Sequence, residues 1–220
     1  MLDSSTIMMI LEGIGQTLLM VLFATLFGYV FGLPLGIVLF LSDKDGIKPN
    51  KKVYRVLDVL VNIGRSIPFI ILLILIIPFT RLLVGKSYGT AATIVPLTIS
   101  AIPFIGRMVE SSLKEVDKGV IEAAESMGAS TFQIVTRVLL LEARSSLVNG
   151  ATICVGTIIG YSAMAGAVGG GGLGDIAIRY GYYRYQTDIM FITVIIIVVM
   201  VQLFQLLGSK ISKKLDKRIK

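Results

Sequence analysis

Apolar residues in this chain come in unbroken runs instead of alternating or keeping to one face. Five runs are long, at about 13 to 41, 59 to 79, 89 to 109, 147 to 168 and 188 to 208. A helix needs about 20 apolar residues to cross a hydrocarbon core of ~30 Å. Inside the bilayer only helices and closed barrels satisfy their own backbone, and barrel strands would alternate. The pattern predicts an all-α integral membrane protein with five transmembrane helices.

One stretch between the third and fourth runs differs in kind. "EAAESMGASTFQIVTRVLLLEA", residues 122 to 143, mixes polar and apolar positions at helical spacing. The preceding "DKGV" leads into a helix from about Val120 to Met127. Gly128 then supplies the residue that takes the left-handed conformation ending a helix. Ser130 is placed to cap the next helix, with Gln133 reaching back to it three residues on. Helix, elbow, helix is the expectation. On the second piece Phe132, Val135, Val138 and Leu139 are expected to share a face; on the first, Ala123, Ala124 and Met127 form a small apolar face beside Glu122. Such a hairpin suits either the headgroup region or a soluble partner, and the residues alone do not separate the two.

Composition agrees with the runs. Of 220 residues 55% are hydrophobic, mean hydropathy is +0.85, and 16% are charged, against roughly 25% in soluble domains. The net charge of +7 sits in clusters beside the runs, which makes it a topology signal and no argument for nucleic acid. Lys44, Lys48, Lys51, Lys52 and Arg55 follow the first run, and Lys210, Lys213, Lys214, Lys217, Arg218 and Lys220 form the tail. Positive segments stay inside. The sparser loops, with Arg81, Lys86, Arg179 and Arg184, are then outside. The expected orientation is N-terminus outside and C-terminus cytoplasmic, with residues 110 to 146 in the cytoplasm. "MLDSST" has no basic n-region, so a cleaved signal peptide is not expected.

Several chemistries are unsupported. There is no His, and Cys154 is the single cysteine in an apolar run, so neither a metal site nor an internal disulfide is expected. Glu12, Asp58, Glu110 and Asp188 lie at run edges, which disfavours an ion-coupled carrier with relays inside the bilayer. Arg65 is close enough to the inner side to snorkel. Pro34, Pro68, Pro78, Pro96 and Pro103 lie inside runs and are expected to kink them. Gly28, Gly32, Gly36, Gly156 and Gly160 are expected to let helices approach. "GGGGLG" at 169 to 174 fits the dinucleotide fingerprint only formally, having no strand before it. "VGKS" at 84 to 87 lacks the first glycine of a phosphate loop, since Thr80 stands there. No catalytic constellation is visible, and no catalytic residue is expected.

The hairpin resembles the E-A-A loop of ABC-transporter permeases. Glu122, Ala123, Ala124, Gly128, Val138 and Leu140 stand at that spacing. The family has Pro where Leu141 stands, so the second helix can run on here. "VNIGRSIPFIILL" (61 to 73), "IVPLTISAIPFIGRMVESSL" (94 to 113) and "GYSAMAGAVGGGGLG" (160 to 174) are similar to runs of the permease subunits of bacterial methionine importers, over nearly the whole chain.

That resemblance implies one type I ABC importer permease domain over residues 1 to 220, with a core of about 13 to 208 and a cytoplasmic coupling loop of about 111 to 146. It implies a multi-pass protein of the bacterial cytoplasmic membrane. It also implies a homodimer, two ABC ATPase subunits below, and an extracytoplasmic methionine-binding protein above. ATP and Mg would belong to the ATPase, with no cofactor in this chain, and the solute would be D- or L-methionine. Glu122, Ala123, Ala124, Gly128, Phe132 and Val135 would couple to the ATPase. In "GYSAMAGAVGGGG" the bulky Met164 stands among small residues as a candidate gate, with Tyr161 and Ser162 beside it in the pathway lining. A permease for another small solute, such as a polar amino acid or a phosphonate, is the alternative in the same class. A non-transporting docking protein is the alternative outside it. The polar and small residues of "NIGRS", "TIS" and "YSAMAGAVGGGG" argue against that last reading.

Overall fold

A computed structural model describes residues 3–216. The tail residues Lys217, Arg218 and Lys220, part of the topology argument, lie outside the described residues. The described residues are mostly helical, with no strand among them. In order they form α1 (Ser4–Ser42), α2 (Lys51–Ser66), α3 (Phe69–Leu75), α4 (Ile77–Val84), α5 (Thr90–Lys114), α6 (Lys118–Ser126), α7 (Thr131–Gln133), a π-helical segment (Ile134–Leu139), α8 (Leu140–Glu142), α9 (Arg144–Ala165), α10 (Gly172–Ile176), a second π-helical segment (Ala177–Tyr182) and α11 (Thr187–Leu215).

Four of the five apolar runs become long helices, α1, α5, α9 and α11, each apolar enough to cross a membrane. The second run departs from expectation. It does not form one helix, because it falls across the end of α2, all of α3 and the start of α4. Pro68 is the cause. It lacks an N–H and disfavours helical backbone at Ile67, and it takes the N-cap position of α3 with φ −58° and ψ 132°. Counting α2 and α3 as one broken span gives five.

The other prolines behave unequally. Pro78 sits in the first turn of α4, where no backbone donor is needed. Pro34, Pro96 and Pro103 lie inside α1 and α5, which continue through them as unbroken helices.

The chain divides into two compact units. One comprises Met1–Gly28, Ile67–Ala101 and Val155–Phe204. Its core includes Ile10, Leu173 and Met200, with Ile14, Ile192, Ile196 and Ile197 against them. The glycine-rich stretch after α9 is a structural clasp in this unit. Gln16 Oε1 accepts from the Gly172 N–H at 2.7 Å, Thr17 Oγ1 accepts from the Leu173 N–H at 3.0 Å, and Thr93 Oγ1 donates to the Gly170 carbonyl at 3.2 Å. Gly171 and Gly172 have φ of 80° and 77°, a region that penalises any side chain.

The second unit comprises Tyr29–Ser66, Ile102–Cys154 and Gln205–Lys220. Leu39, Ile105, Val109, Leu113, Ile134 and Leu139 are buried in it. Gly32 and Gly36 allow the approach expected of them, since a Cβ on Gly32 would lie 2.8 Å from Ile105 Cβ, and Gly36 faces Gly106 and Val109. Gly160, in the first unit, is exposed and faces open space.

Candidate functional site

The hairpin has the local structure that its caps dictate. Asp117 begins α6, its carboxylate accepting from the Gly119 N–H at 2.8 Å. Gly128 ends it with φ 77°. Ser130 and Gln133 form the reciprocal capping box: the Ser130 N–H donates to Gln133 Oε1 at 2.8 Å, and the Gln133 N–H donates to Ser130 Oγ at 3.3 Å. The elbow is thus fixed by local side-chain caps and the left-handed backbone of Gly128, where an added side chain would meet nothing within 4 Å.

The faces differ from the sequence expectation. Phe132 does not join Val135 and Leu139 on a buried face; it is 76% exposed, while Ile134, Val135 and Leu139 are buried. The reason is the π-helical segment, whose i→i+5 turn stacks Ile134 over Leu139 and leaves Phe132 at the elbow. On α6, Ala124 is buried, whereas Glu122, Ala123 and Met127 are exposed, Met127 at 82%. The exposed residues Val120, Ala123, Met127 and Phe132 supply the free apolar surface. Ala124 and Val135 hold the hairpin to its own unit. Without a proline at Leu141 the helix does continue, through α8 to a bend at Ala143 and then into α9.

Behind the hairpin lies a charge network that sequence reasoning missed. Glu110 has 2% of its side chain exposed. It accepts from Arg107 Nη1 at 2.7 Å, Lys114 Nζ at 2.8 Å and Tyr54 Oη at 3.1 Å. Arg107 also reaches Asp58 and, at 3.0 Å, the side-chain Oδ1 of Asn62 on α2. Lys114 pairs with Asp43 at 2.7 Å. The network joins the loop after α1, α2 and the last two turns of α5, directly before Asp117. A signal was available: Asp58 and Asn62, and Arg107, Glu110 and Lys114, recur at three- and four-residue spacing on single helix faces. At Asp43, burial pushes the carboxyl up, but the hydrogen bond from Lys114, the Lys44 N–H and both ammonium charges outweigh it. The carboxyl is held below the ordinary carboxylate range.

The candidate lining residues do not share one surface. Met164 is 48% exposed on α9. Ser162 is buried and donates to the Ile159 carbonyl at 2.8 Å. Tyr161 is half-buried, its ring stacked on Phe69 with centroids 4.6 Å apart and planes at 2°. Of the three, Met164 is the one this chain leaves substantially open.

Residues 28–220 match the family described as the binding-protein-dependent transport system inner membrane component. The chain is 50% identical over 210 residues to the probable D-methionine transport system permease protein MetI of Vibrio cholerae serotype O1, covering 96% of this chain and 93% of that one. It is 52% identical over 158 residues to the D-methionine transport system permease protein MetI of Escherichia coli K12, covering 72% and 73%. Among solved structures, one chain of inward facing conformations of the MetNI methionine ABC transporter aligns with a TM-score of 0.96 at 47% identity, over 98% of this chain and 100% of that one. A chain of an amino acid ABC transporter crystallised with histidines shares the fold, with a TM-score of 0.76 at 20% identity.

Proposed function

This chain belongs to the family of binding-protein-dependent transport system inner membrane components, and from that premise we propose that it forms the membrane pathway of an ATP-driven methionine importer. The carrying observation is the near-complete alignment with the chain of the MetNI methionine ABC transporter. The proposed assembly is two copies of this permease, two ATPase subunits in the cytoplasm that hold ATP and Mg, and an extracytoplasmic methionine-binding protein. The N-terminus is placed outside and the C-terminus inside, supported by the lysine-rich segments after α1 and at the end of α11 and by five spans, α2 and α3 counting as one.

Coupling is assigned to the hairpin. Glu122, Ala123, Met127 and Phe132 are exposed and form the contact with the ATPase, while Ala124, Gly128 and Val135 set its shape and root. A short helix pair with a fixed elbow and a buried root moves as a rigid piece, so a displacement at Phe132 is delivered to α9 on one side and α5 on the other. Closure of the ATPases on ATP would in this way change which side of the pathway is open. Met164 is assigned to the gate. The open pathway carries no fixed charge at Met164, which suits a net-neutral, partly apolar solute.

The test is reconstitution of the purified permease with its ATPase and binding protein in proteoliposomes, with ATP-dependent uptake of labelled amino acids measured. Methionine uptake that needs ATP, the binding protein and this chain is the expected result. Uptake of a different solute with none of methionine would overturn the assignment of substrate.

A further inference from the structure

A second site lies on the same side as the hairpin, in a cavity of about 290 Å³ whose lining includes Phe40, Asp43, Lys44, Asp45, Lys114 and Lys118, with Val116 and Ile121 also facing it. Its floor is apolar, Phe40 and Val116 being buried. Its rim is basic, and the charges are unequally used. Asp43 is taken by Lys114 at 2.7 Å. Lys44 and Lys118 share one carboxylate, Asp45, at 3.9 and 4.0 Å, and their side chains are 87% and 72% exposed. Exposed pairs at that distance are worth little. Lys114 is satisfied by Asp43 and by Glu110 behind the cavity, so the exposed rim sets Lys44 and Lys118 against Asp45 alone and carries one surplus positive charge over an apolar floor.

We propose that this cavity binds a singly charged phosphodiester, namely the headgroup of an anionic phospholipid such as phosphatidylglycerol. The charge of −1 matches the unbalanced +1, and the apolar floor suits the glycerol and first acyl methylenes. Depth agrees as well: the cavity begins at Phe40, in the last turn of α1, and ends at Lys118, the first residue of α6. Basic pockets beside transmembrane helices on the cytoplasmic side are suited to lipid phosphates. A bound headgroup would tie the end of α1 to the start of the hairpin, so the lipid would influence coupling. This proposal rests on the orientation proposed above, which puts Lys44 and Lys118 in the inner leaflet.

Native mass spectrometry of the complex of this full chain with its ATPase tests it. The complex is taken from nanodiscs of phosphatidylcholine mixed with phosphatidylglycerol. Wild type should retain phosphatidylglycerol preferentially, Lys44→Gln/Lys118→Gln should lose roughly tenfold in that preference, and the neighbouring Lys51→Gln/Lys52→Gln should keep it. Unchanged retention in the first variant, or an equal loss in the second, would overturn the site; the latter would show a diffuse basic surface. Inorganic phosphate at millimolar concentration is the competing probe, and if it displaces the lipid fully the ligand is soluble phosphate and the lipid assignment fails. Methionine uptake is measured on the same wild-type complex, reconstituted with its binding protein in proteoliposomes. Absent uptake with lipid preference intact rejects the transport reading and leaves this site standing.

Discussion

Arg107 donates from Nη1 to Glu110 Oε2 at 2.7 Å, across a single helical turn of α5, with Glu110 2% and Arg107 23% exposed at the side chain. A buried carboxylate in such a place is tolerable only while its partners remain, because an unpaired buried charge keeps the desolvation penalty and loses the compensation. Arg107→Ala should therefore lower stability by about 3 kcal/mol, read as a fall in the thermal midpoint of the solubilised protein. Arg107→Ala/Glu110→Ala should cost less than the sum of the two single changes. Additivity of the two would show that the pair is not energetically coupled.

Asp43 gives the same network a pH dependence of known sign. Its carboxyl is held below the ordinary carboxylate range by Lys114, the Lys44 N–H and their charges, which outweigh burial. A group depressed in the folded state contributes its stability above its unfolded pKa, about 3.9 for Asp, and loses it as pH falls through the folded value. Wild type should thus be more stable than Asp43→Asn at neutral pH, with the gap closing below about pH 4. Thermal midpoints of both proteins measured from pH 7 downward check this, and a gap that stays constant would remove Asp43 as the source.

Gly128 is the elbow, with φ 77° and open space where a Cβ would point. The cost of a substitution there is consequently conformational and not steric. It is about 1 kcal/mol or more for a residue with a Cβ in left-handed backbone, and greater for a β-branched one. Gly128→Val should abolish most methionine-stimulated ATPase activity while assembly with the ATPase, checked by size exclusion, is retained. Gly128→Asn, which tolerates that backbone better, should keep an intermediate activity. Equal activity in all three would mean that the elbow geometry is not used for coupling.

The elbow was legible because its signals are local: Gly128, Ser130 and Gln133 lie within five residues of one another. Phe132, expected on one face with Val135 and Leu139, is set apart from them because a π-helical segment depends on what Ile134 and Leu139 pack against, which periodicity does not carry. At the second span the kink expected at Pro68 was legible and its extent was not: the helix stops at Ser66 and restarts at Phe69. Glu110 stands at a run edge, a position that says nothing of burial; Tyr54 from α2 closes over it beside Arg107 and Lys114 of its own helix. Ser162 is small and polar beside Met164 in sequence, but adjacent helix positions point in different directions, and Ser162 faces inward.

Cysteine labelling gives a direct test of the orientation, helped by the burial of Cys154, the single native cysteine. Tyr185 and Met127 are 88% and 82% exposed. In intact cells a membrane-impermeant maleimide should label Tyr185→Cys and leave Met127→Cys unlabelled until the membrane is opened. The reverse pattern would invert the topology and remove the hairpin from reach of any cytoplasmic ATPase.

Met164 is the last assignment, and its surroundings make it testable. It is 48% exposed on α9 between Ala163 and the fully buried Ala165, and Gly160, one turn earlier, faces open space. An open bulky thioether beside a bare turn leaves room for a second helix to approach. In a two-fold dimer that helix would be the partner's α9, because identical residues near the axis meet one another. Two such side chains would form an apolar constriction able to block leakage by dewetting, with no charge needed. Met164→Cys should then form a disulfide between permease copies in the nucleotide-free state. Trapping the ATPase with ATP should suppress it by drawing the two helices apart. Loss of the thioether bulk in Met164→Ala should raise leak of methionine without ATP, while Ser162→Ala, on the buried side, should not. Absence of the disulfide in a dimer shown to be intact, or a disulfide insensitive to nucleotide, would leave Met164 as ordinary packing against a neighbour.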